Sequence, residues 1–428
     1  MVNNAALDGP EVPFARPFIG REEEEAALRV LRSGWLTTGV EALAFEKEFQ
    51  AFLADGGGAC FGVLPKKSGA GGIHCLAVNS ATSGLHLALE ACGVGKGDLV
   101  LLPSYTFAST AGAARNLGAD PVFVDVVPGG FHIDPAALEE TLKNLCAPLR
   151  SGLPPAYEQF RGKKPKALIP VHYGGLPCDM PALMDIARRY DLKVIEDAAH
   201  SFPSRLGDGS WAGTAGDAGV FSFYATKTLT TGEGGMVVCK NDGLAARVSL
   251  MRSHGIDRSV WNRYTDTAAS WYYEVVEAGC KYNLPDLLAA LGRVQLSRAR
   301  DLLAMRREIA AAYDAAFGGD ECFLIPPGGE GDARHLYPLR LSPEALRISR
   351  DDFIQKLKER EIGVSVHFIP LHIMPFYKNR YSLAEEDFPE TMRSFRREIS
   401  LPIWPGMSGE QVGRVISVVK SVAGAYTV

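Results

Sequence analysis

The fold is decided by residues 194–238, which read VIEDAAHSFPSRLGDGSWAGTAGDAGVFSFYATKTLTTGEGGMVV. The stretch begins as a short apolar strand, and the acids Glu196 and Asp197 follow it directly. After a Gly-rich turn region comes a second apolar strand at residues 218–223, and Lys227 lies just past its end. Ligands of parallel sheets bind beyond the carboxyl ends of the strands, so the pattern predicts one pocket that contains a carboxylate and an amine.

Asp197 and Lys227 are the two groups that a pyridoxal phosphate (PLP) enzyme needs. The lysine amine forms a Schiff base with the cofactor aldehyde, and the carboxylate pairs with the pyridinium nitrogen so that the ring can accept electrons. Taken singly, the aspartate would be a helix cap and the lysine a solvated surface residue. Ser222 before the lysine and the glycine-rich run at 232–235 after it make the combined pattern far more specific.

The chain resembles the DegT/DnrJ/EryC1/StrS family of PLP-dependent nucleotide-sugar aminotransferases. The resemblance extends over nearly the whole chain, and its motifs are EDAAH at 196–200, GDAGVFSF at 216–223, TK at 226–227, GEGG at 232–235, NSATSGLH at 79–86 and GCKYNLPD at 279–286. It implies the PLP-dependent transferase fold type I, PLP as the cofactor and a homodimer whose active sites are shared between subunits. Because Lys227 is present, the chain departs from the family's dehydratase branch, which replaces that lysine.

Composition favours a cytoplasmic enzyme. The 428 residues, 46% of them hydrophobic, are enough for a large core, and we predict a large domain at 1–297 and a smaller C-terminal α+β domain at 298–428. A formal charge of −5 gives no reason to expect nucleic acid or an anionic membrane as a partner. The eight cysteines show no C-x-x-C spacing, so reduced thiols are expected and no metal site is predicted.

Apolar runs alternate with helical periods along most of the chain. This alternation predicts an α/β fold with a mostly parallel sheet covered by helices. The main predicted helices are 21–33, 41–53, 180–190, 298–317 and 350–360, and the main strands are 99–102, 121–126, 166–171, 193–195, 335–341 and 364–368. Residues 56–72 and 148–165 are interpreted as surface insertions, and residues 258–275 as a substrate-facing loop or a dimer contact.

Further cofactor contacts are predicted at helix and strand ends. Ala81, Thr82 and Ser83 begin a helix, where they are caps by default, but the same position offers free amides to a phosphate. The resemblance implies that Phe107 stacks on the cofactor ring, that His200 contacts its hydroxyl group and that Ser222 belongs to the same site. It also implies that Asn283 reaches the phosphate bound by the other subunit.

The residues that bind the substrate are less well marked. Each candidate has an ordinary structural interpretation as a turn, core or strand residue. The candidates are Trp35, Thr37, Thr38, Tyr337, His367 and Phe368.

The predicted reaction moves an amino group from an amino acid, with L-glutamate favoured, to a nucleotide-linked keto-sugar. Such amino sugars serve polysaccharide, lipopolysaccharide or secondary-metabolite synthesis. One alternative is an aminocyclitol aminotransferase that uses glutamine and a keto-inositol. Another is a regulatory or scaffold protein that retains only the fold, which the intact Asp197, Ser222 and Lys227 argue against.

Overall fold

The computed structural model describes residues 11–54, 72–146, 155–160, 163–257, 272–329 and 331–428. The interpretations of residues 56–71 and 258–271 as loops therefore lie outside the described residues, as do 148–154 and 161–162 of the second predicted insertion.

The order of elements alternates between strands and helices, as the sequence predicts. The helices are α1 (Arg21–Ser33), α2 (Val40–Ala54), α3 (Ala81–Ala91), α4 (Ala108–Asn116), α5 (Pro135–Cys146), α6 (Met180–Tyr190), α7 (Asp242–Met251), α8 (Asp286–Ser297), α9 (Ala299–Phe317), α10 (Arg350–Lys358), α11 (Pro375–Tyr381), α12 (Pro389–Phe395) and α13 (Gly409–Ala425). The strands are β1 (His74–Val78), β2 (Leu99–Pro103), β3 (Asp120–Val124), β4 (Pro165–Leu168), β5 (Lys193–Asp197), β6 (Ala218–Ser222), β7 (Gly235–Cys239), β8 (Phe323–Leu324), β9 (Tyr337–Leu341) and β10 (Glu398–Leu401).

Seven strands form the main sheet in the order β1-β7-β6-β5-β4-β2-β3. The pairs from β6 to β3 are parallel, and β7 is antiparallel to both of its neighbours. Every residue of β2, β6 and β7 is buried, because helices cover both faces of the sheet. The predicted α/β fold with a mostly parallel sheet is confirmed.

The two faces of the main sheet have separate cores. Side chains alternate between faces along a strand, so Val220 packs with α3 to α6 on one side. Phe221 and Phe223 point to the other side, where they meet the Phe45 and Phe49 rings of α2 at centroid distances between 5.3 and 5.7 Å. Helix α2 is therefore fixed to the strand that precedes Lys227.

A smaller antiparallel sheet, β10-β9-β8, has its own core with α9, α10 and α13. The predicted domain boundary falls between α8 and α9, which only Arg298 separates, and the boundary itself stays a prediction. Val12 lies in this second core and pairs with Ile362, although the predicted division places the N-terminal segment in the large domain.

Two local predictions are wrong. Residues 364–368 do not form a strand: Ser365 makes a single bridge to Ser400, and the His367 N–H donates to the Glu398 carboxylate instead of to a strand partner. The second predicted surface insertion is anchored in the core by Tyr157 and Phe160, which are each 1% exposed. The Phe123 N–H donates to the Tyr157 hydroxyl over 2.8 Å, so this segment packs on β3.

No helix within the described ranges combines the length and the apolar composition that crossing a lipid bilayer requires.

We expect Gly219→Ala to destabilise the protein strongly. A Cβ atom at this position in β6 would lie 2.0 Å from the Gly213 carbonyl oxygen, a backbone atom that cannot rotate away. The expected cost is about 3 kcal/mol, the upper end of what overpacking typically costs. The matched control is Gly112→Ala in α4, where no atom lies within 4 Å of the added Cβ. The urea midpoint should fall for Gly219→Ala and stay or rise for the control; equal midpoints would contradict the packing argument.

Candidate active site

A cavity of about 500 Å³ opens at the carboxyl ends of the parallel strands, where the small-domain loops face the main sheet. The start of α3, the ends of β5 and β6 and the loops at 335–336 and 367–368 form its walls. The predicted residues that line it are Ala81, Thr82, Phe107, Asp197, His200, Ser222, Lys227, His367 and Phe368. The fold therefore brings together most of the predicted cofactor residues.

Asp197 is the last residue of β5 and is only 5% exposed. Its carboxylate accepts a hydrogen bond from the Thr110 hydroxyl at 2.8 Å and another from the Ala199 N–H at 3.2 Å. Burial raises the pKa of this carboxyl group, and the two hydrogen bonds and the Lys227 charge oppose that effect. A cation bound beside Asp197 would meet a fixed, desolvated partner.

Lys227 follows β6 and extends its amine into the same cavity. Burial lowers the pKa of this lysine to about 7, although Asp197 raises it, and the Arg306 guanidinium lowers it further. The Lys227 Nζ lies 3.5 Å from Nε2 of His335. A large fraction of the amine is therefore uncharged near neutral pH, the form in which it is a nucleophile or a base.

Glu196, next to Asp197, holds the strand end in place. It is completely buried and accepts hydrogen bonds from the backbone N–H groups of Gly213, Ala215 and Gly216. Nε2 of the equally buried His172 lies 2.9 Å from its second oxygen. These contacts keep the pKa of Glu196 low against the effect of burial, and they tie β5 to the turn that leads into β6.

Helix α3 offers backbone amides to the cavity. The Ser80 hydroxyl accepts from the Ser83 N–H at 3.1 Å, while Ala81 and Thr82 line the cavity at the free end of the helix. Such an end attracts anions through its amides and its dipole. Gly235 permits the close approach of β7, since a Cβ there would lie 2.8 Å from the Ala81 nitrogen.

Ser83 itself is a correction. We predicted it as a cofactor contact, but its N–H is used by the Ser80 cap and its hydroxyl donates to the Asn79 side chain at 2.5 Å. It is 7% exposed and does not line the cavity. The cap interpretation of this residue is the one that the structure supports.

Three further predicted cofactor contacts line the cavity. Phe107 directly precedes α4 and is 58% exposed, with its ring 5.7 Å from the Phe368 ring. His200 accepts at Nδ1 from the Gly174 N–H, and burial lowers its pKa well below the ordinary value, so it is neutral. The Ser222 hydroxyl lies at the end of β6 and accepts from the Tyr224 N–H.

The predicted substrate residues divide into three groups. His367 and Phe368 line the cavity. Tyr337 does not, which corrects that prediction: it is fully buried in β9, and its hydroxyl donates to Asp314 at 2.8 Å. The third group also lies outside the cavity of its own chain and consists of Trp35, Thr37 and Thr38. The predicted cofactor contact Asn283 lies outside this cavity as well.

Asn283 and Thr38 contact each other. The Asn283 amide donates to the Thr38 hydroxyl at 2.6 Å, and that hydroxyl donates to the Leu284 carbonyl at the same distance. Asp286 braces the turn between α1 and α2 by accepting from the N–H groups of Gly39 and Ala42. These contacts form a second polar cluster, apart from the cavity.

Two residues that contact Lys227 and Asp197 were not predicted from the sequence. His335 is 5% exposed, contacts Lys227 as described above and lies with its ring centroid 4.4 Å from that of His200. Its position at the start of a predicted strand was the available signal. Thr110, which binds Asp197, lies inside α4 and gave no signal, because a threonine in a helix is ordinary.

The donor set fits PLP. A buried lysine amine suits the aldehyde, a buried carboxylate suits the pyridine nitrogen, free helix amides suit the phosphate and an exposed phenyl ring suits the aromatic face. Nδ1 of His335, a residue that lines the cavity, is also buried and lacks a hydrogen-bond partner among the described residues.

Comparisons with known proteins agree with this geometry. The model of the DegT/DnrJ/EryC1/StrS aminotransferase family matches residues 17–420. The spore coat polysaccharide biosynthesis protein SpsC of Bacillus subtilis is 40% identical over 419 residues, 96% of this chain and 97% of that protein. The PMP-form of a putative sugar aminotransferase from Streptococcus pneumoniae has a TM-score of 0.82 at 28% identity and covers 97% of this chain and 99% of that one.

A second solved structure is Helicobacter pylori PseC, an aminotransferase involved in pseudoaminic acid biosynthesis, with a TM-score of 0.80 at 26% identity over 97% of this chain and all of that one. The PLP-form of the Streptococcus pneumoniae protein gives 0.81. The chain therefore belongs to the DegT/DnrJ/EryC1/StrS aminotransferase family and is a PLP-dependent aminotransferase.

Proposed function

We propose that this enzyme transfers an amino group from L-glutamate to the keto group of a nucleotide-linked sugar. The observation that carries the proposal is the placement of the Lys227 amine and the Asp197 carboxylate in one cavity. The relatives named for spore coat polysaccharide and pseudoaminic acid synthesis support a sugar as the acceptor. A cytoplasmic location remains part of the proposal.

The residues of the cavity would divide the work between them. When bound, PLP supplies an aldehyde that condenses with amines and a ring that accepts electrons. Lys227 would hold the cofactor and, after the donor amino acid displaces it, take the α-proton of the donor at Nζ. Asp197 would hold the proton on the ring nitrogen from a buried position, where its charge is worth more than in water.

A keto-inositol with glutamine as donor is the competing pair of substrates. A sugar ring and an inositol ring both carry several hydroxyl groups, so the nucleotide part of the substrate is the discriminating feature. A purely regulatory role is disfavoured because the chain retains both Lys227 and Asp197.

The proposed function predicts which substrates are converted. Purified enzyme should aminate at least one nucleotide keto-sugar with glutamate, and Lys227→Ala should lose this activity by at least about 10⁴-fold, since it removes both the nucleophile and the base. Lys420→Ala, at an exposed site on α13, is the matched control and should retain activity. The measurement is amino-sugar formation by mass spectrometry across nucleotide keto-sugars and keto-inositols, each with glutamate and glutamine. Amination of keto-inositols alone would overturn the sugar assignment.

The pKa of Lys227 predicts a pH profile for its reactivity. An unfolded lysine loses its proton near pH 10.4, whereas in the folded protein the pKa of about 7 makes Lys227 increasingly neutral above that pH. In cofactor-free protein, acylation of Lys227 by acetic anhydride should therefore reach half of its maximum near pH 7. Peptide mass spectrometry, with the same lysine in unfolded protein as reference, measures this. A midpoint equal to that of the unfolded reference would contradict the burial argument.

We further propose that the active enzyme is a homodimer with shared sites. The turn and helices beside Asn283 expose an apolar surface, formed by Leu28, Leu31, Leu36, Val40 and Leu43, each between 38% and 54% exposed. An exposed apolar surface of this kind typically marks a contact with another protein. A second copy of the chain on this surface would bring the Asn283–Thr38 cluster to the neighbouring cavity, where its amide could reach the phosphate.

Subunit mixing tests the shared site. Lys227→Ala and Asn283→Asp should each be nearly inactive, the second because its carboxylate repels the phosphate. After the two variants exchange subunits, one site of each mixed dimer carries both faults and the other carries none, so up to half of the sites in mixed dimers should work. The control mixture is Lys227→Ala with Asp197→Asn, in which every site keeps one fault. Activity at matched protein concentration, with exchange confirmed by tag pull-down, is measured; equal activity in the two mixtures would mean that Asn283 serves its own chain.

A further inference from the structure

Three small-domain residues form a hydrogen-bonded chain that ends at the cavity. The Glu398 and Ser400 side chains belong to β10 and are completely buried, while the His367 ring lines the cavity. One Glu398 oxygen lies 2.5 Å from the Ser400 hydroxyl, and that hydroxyl lies 2.9 Å from Nδ1 of His367. The other Glu398 oxygen accepts from the His367 N–H at 3.1 Å.

The remaining ring nitrogen is available to a ligand. Within the described residues nothing hydrogen-bonds Nε2 of His367, and this nitrogen is not among the buried polar atoms that lack a partner, so it is accessible from the cavity. Phe14 stacks on one side of the ring at a centroid distance of 5.3 Å, and the Tyr173 hydroxyl donates to the His367 carbonyl at 2.5 Å. The protein thus contacts the His367 backbone carbonyl, one face of its ring and Nδ1, and Nε2 is the ring nitrogen left to contact a substrate.

The arginines near the Glu398–Ser400–His367 hydrogen bonds do not pair with the Glu398 carboxylate. Arg350 donates to the Glu398 and Phe395 backbone carbonyls, and Arg340, opposite Glu398 on β9, donates to the Gly129 carbonyl. The other titratable neighbours are the buried hydroxyls of Tyr105 and Tyr173 around Glu398, and Lys227, His200 and His335 around His367. Burial raises the pKa of Glu398 to about 8 and lowers that of His367 to about 4, so a neutral imidazole faces a carboxyl group that gains its proton near neutral pH.

The same heavy-atom positions permit two arrangements of the protons. With Glu398 ionised, Ser400 donates to it, Nδ1–H of His367 donates to Ser400, and Nε2 is a bare acceptor. With Glu398 protonated, its O–H donates to Ser400, Ser400 donates to Nδ1, and Nε2 carries the hydrogen. The protonation of a buried carboxyl group therefore determines whether His367 presents an acceptor or a donor to the cavity.

We propose that Glu398, Ser400 and His367 form a proton relay that serves the oxygen of the acceptor's keto group, an inference that rests on the proposed sugar aminotransferase activity. The N–H bond at Nε2 breaks as an O–H bond forms on the keto oxygen. The Ser400 proton then moves to Nδ1 and the Glu398 proton moves to Ser400, which leaves Glu398 ionised. One proton is transferred, and the keto oxygen receives the first of the two protons with which it leaves as water.

The order of the three residues excludes a nucleophilic triad. In such a triad the histidine lies between the hydroxyl and the carboxylate, whereas here the hydroxyl lies in the middle and is completely buried. His367 is the catalytic residue of the relay because it contacts the substrate. Ser400 and Glu398 are positioning residues that act through it.

The first test measures the Glu398 proton directly. Infrared difference spectra between pH values are recorded on the full-length protein, once with and once without cofactor. Both series should show the carbonyl stretch of a protonated carboxylic acid, and this band should fade as the pH is raised through about 8. Glu398→Gln should remove this band, and Glu410→Gln, which removes an exposed carboxyl group at the start of α13, should keep it. A band that is absent from the wild type, or unchanged in Glu398→Gln, would overturn the relay.

The second test separates the two half-reactions. In the wild type, the acceptor half-reaction should be fast below about pH 8 and slow down above it, because its proton donor needs protonated Glu398. Glu398→Gln keeps a donor next to Ser400 but cannot give up its proton, so this half-reaction should be about 100-fold slower, a typical value for lost acid–base catalysis. Its rate should no longer fall above about pH 8. Ser400→Ala should be similarly slow, and Ser400→Thr should restore part of the rate.

Stopped-flow absorbance measures both half-reactions. The donor half-reaction should slow much less than the acceptor half-reaction in every variant, since the proposal assigns the relay to the keto oxygen of the acceptor. A wild-type pH dependence that persists in Glu398→Gln would overturn the proposal. If the wild type aminates no nucleotide sugar, the proposed function fails, and the infrared measurement still determines whether the relay proton exists.

Discussion

Burial of the Lys227 amine beside the Asp197 carboxylate is the constraint on which this active site depends. Placing both groups at the ends of adjacent strands removes water from around them, and the lysine responds with a pKa of about 7. An exposed pair would keep ordinary pKa values and contribute little. The strand ends must therefore be rigid, dry and closely spaced.

The buried contacts around Glu196 supply that rigidity. Three backbone amides and His172 satisfy its carboxylate, so the charge next to Asp197 carries no uncompensated cost of desolvation. The side chains of Phe221 and Phe223 pack on α2. The strand that precedes Lys227 is therefore held by this packing and by the Glu196 contacts with the turn before it. Gly219 and Gly235 allow the backbone to approach closely where no side chain would fit.

The sequence was informative wherever periodicity or motif spacing acts locally. It located helices α1 and α6 to the residue and the main strands to within a few residues, because each has a regular pattern and a clear end. It could not predict contacts made across the fold. Tyr337 and His367 both carry aromatic rings, yet Tyr337 is buried within β9 and His367 faces the cavity. The Thr110 contact with Asp197 joins residues 87 positions apart and leaves no local signal.

The charge of the cavity wall supports the proposed dimer independently of the apolar surface. Among the described residues that line it, Lys227 is the one lysine or arginine, and Asp197 and Glu233 are the acids. Burial and the Lys227 charge lower the pKa values of His200, His335 and His367, so these imidazoles offer hydrogen bonds without positive charge. The α3 amides can meet the cofactor phosphate, but the proposed nucleotide-linked sugar would bring further negative charge to a wall that is already net acidic. In the proposed dimer, Asn283 would bring Lys281 to the neighbouring cavity, because the Lys281 amine donates to the Asn283 side-chain oxygen. This cation would balance part of that negative charge.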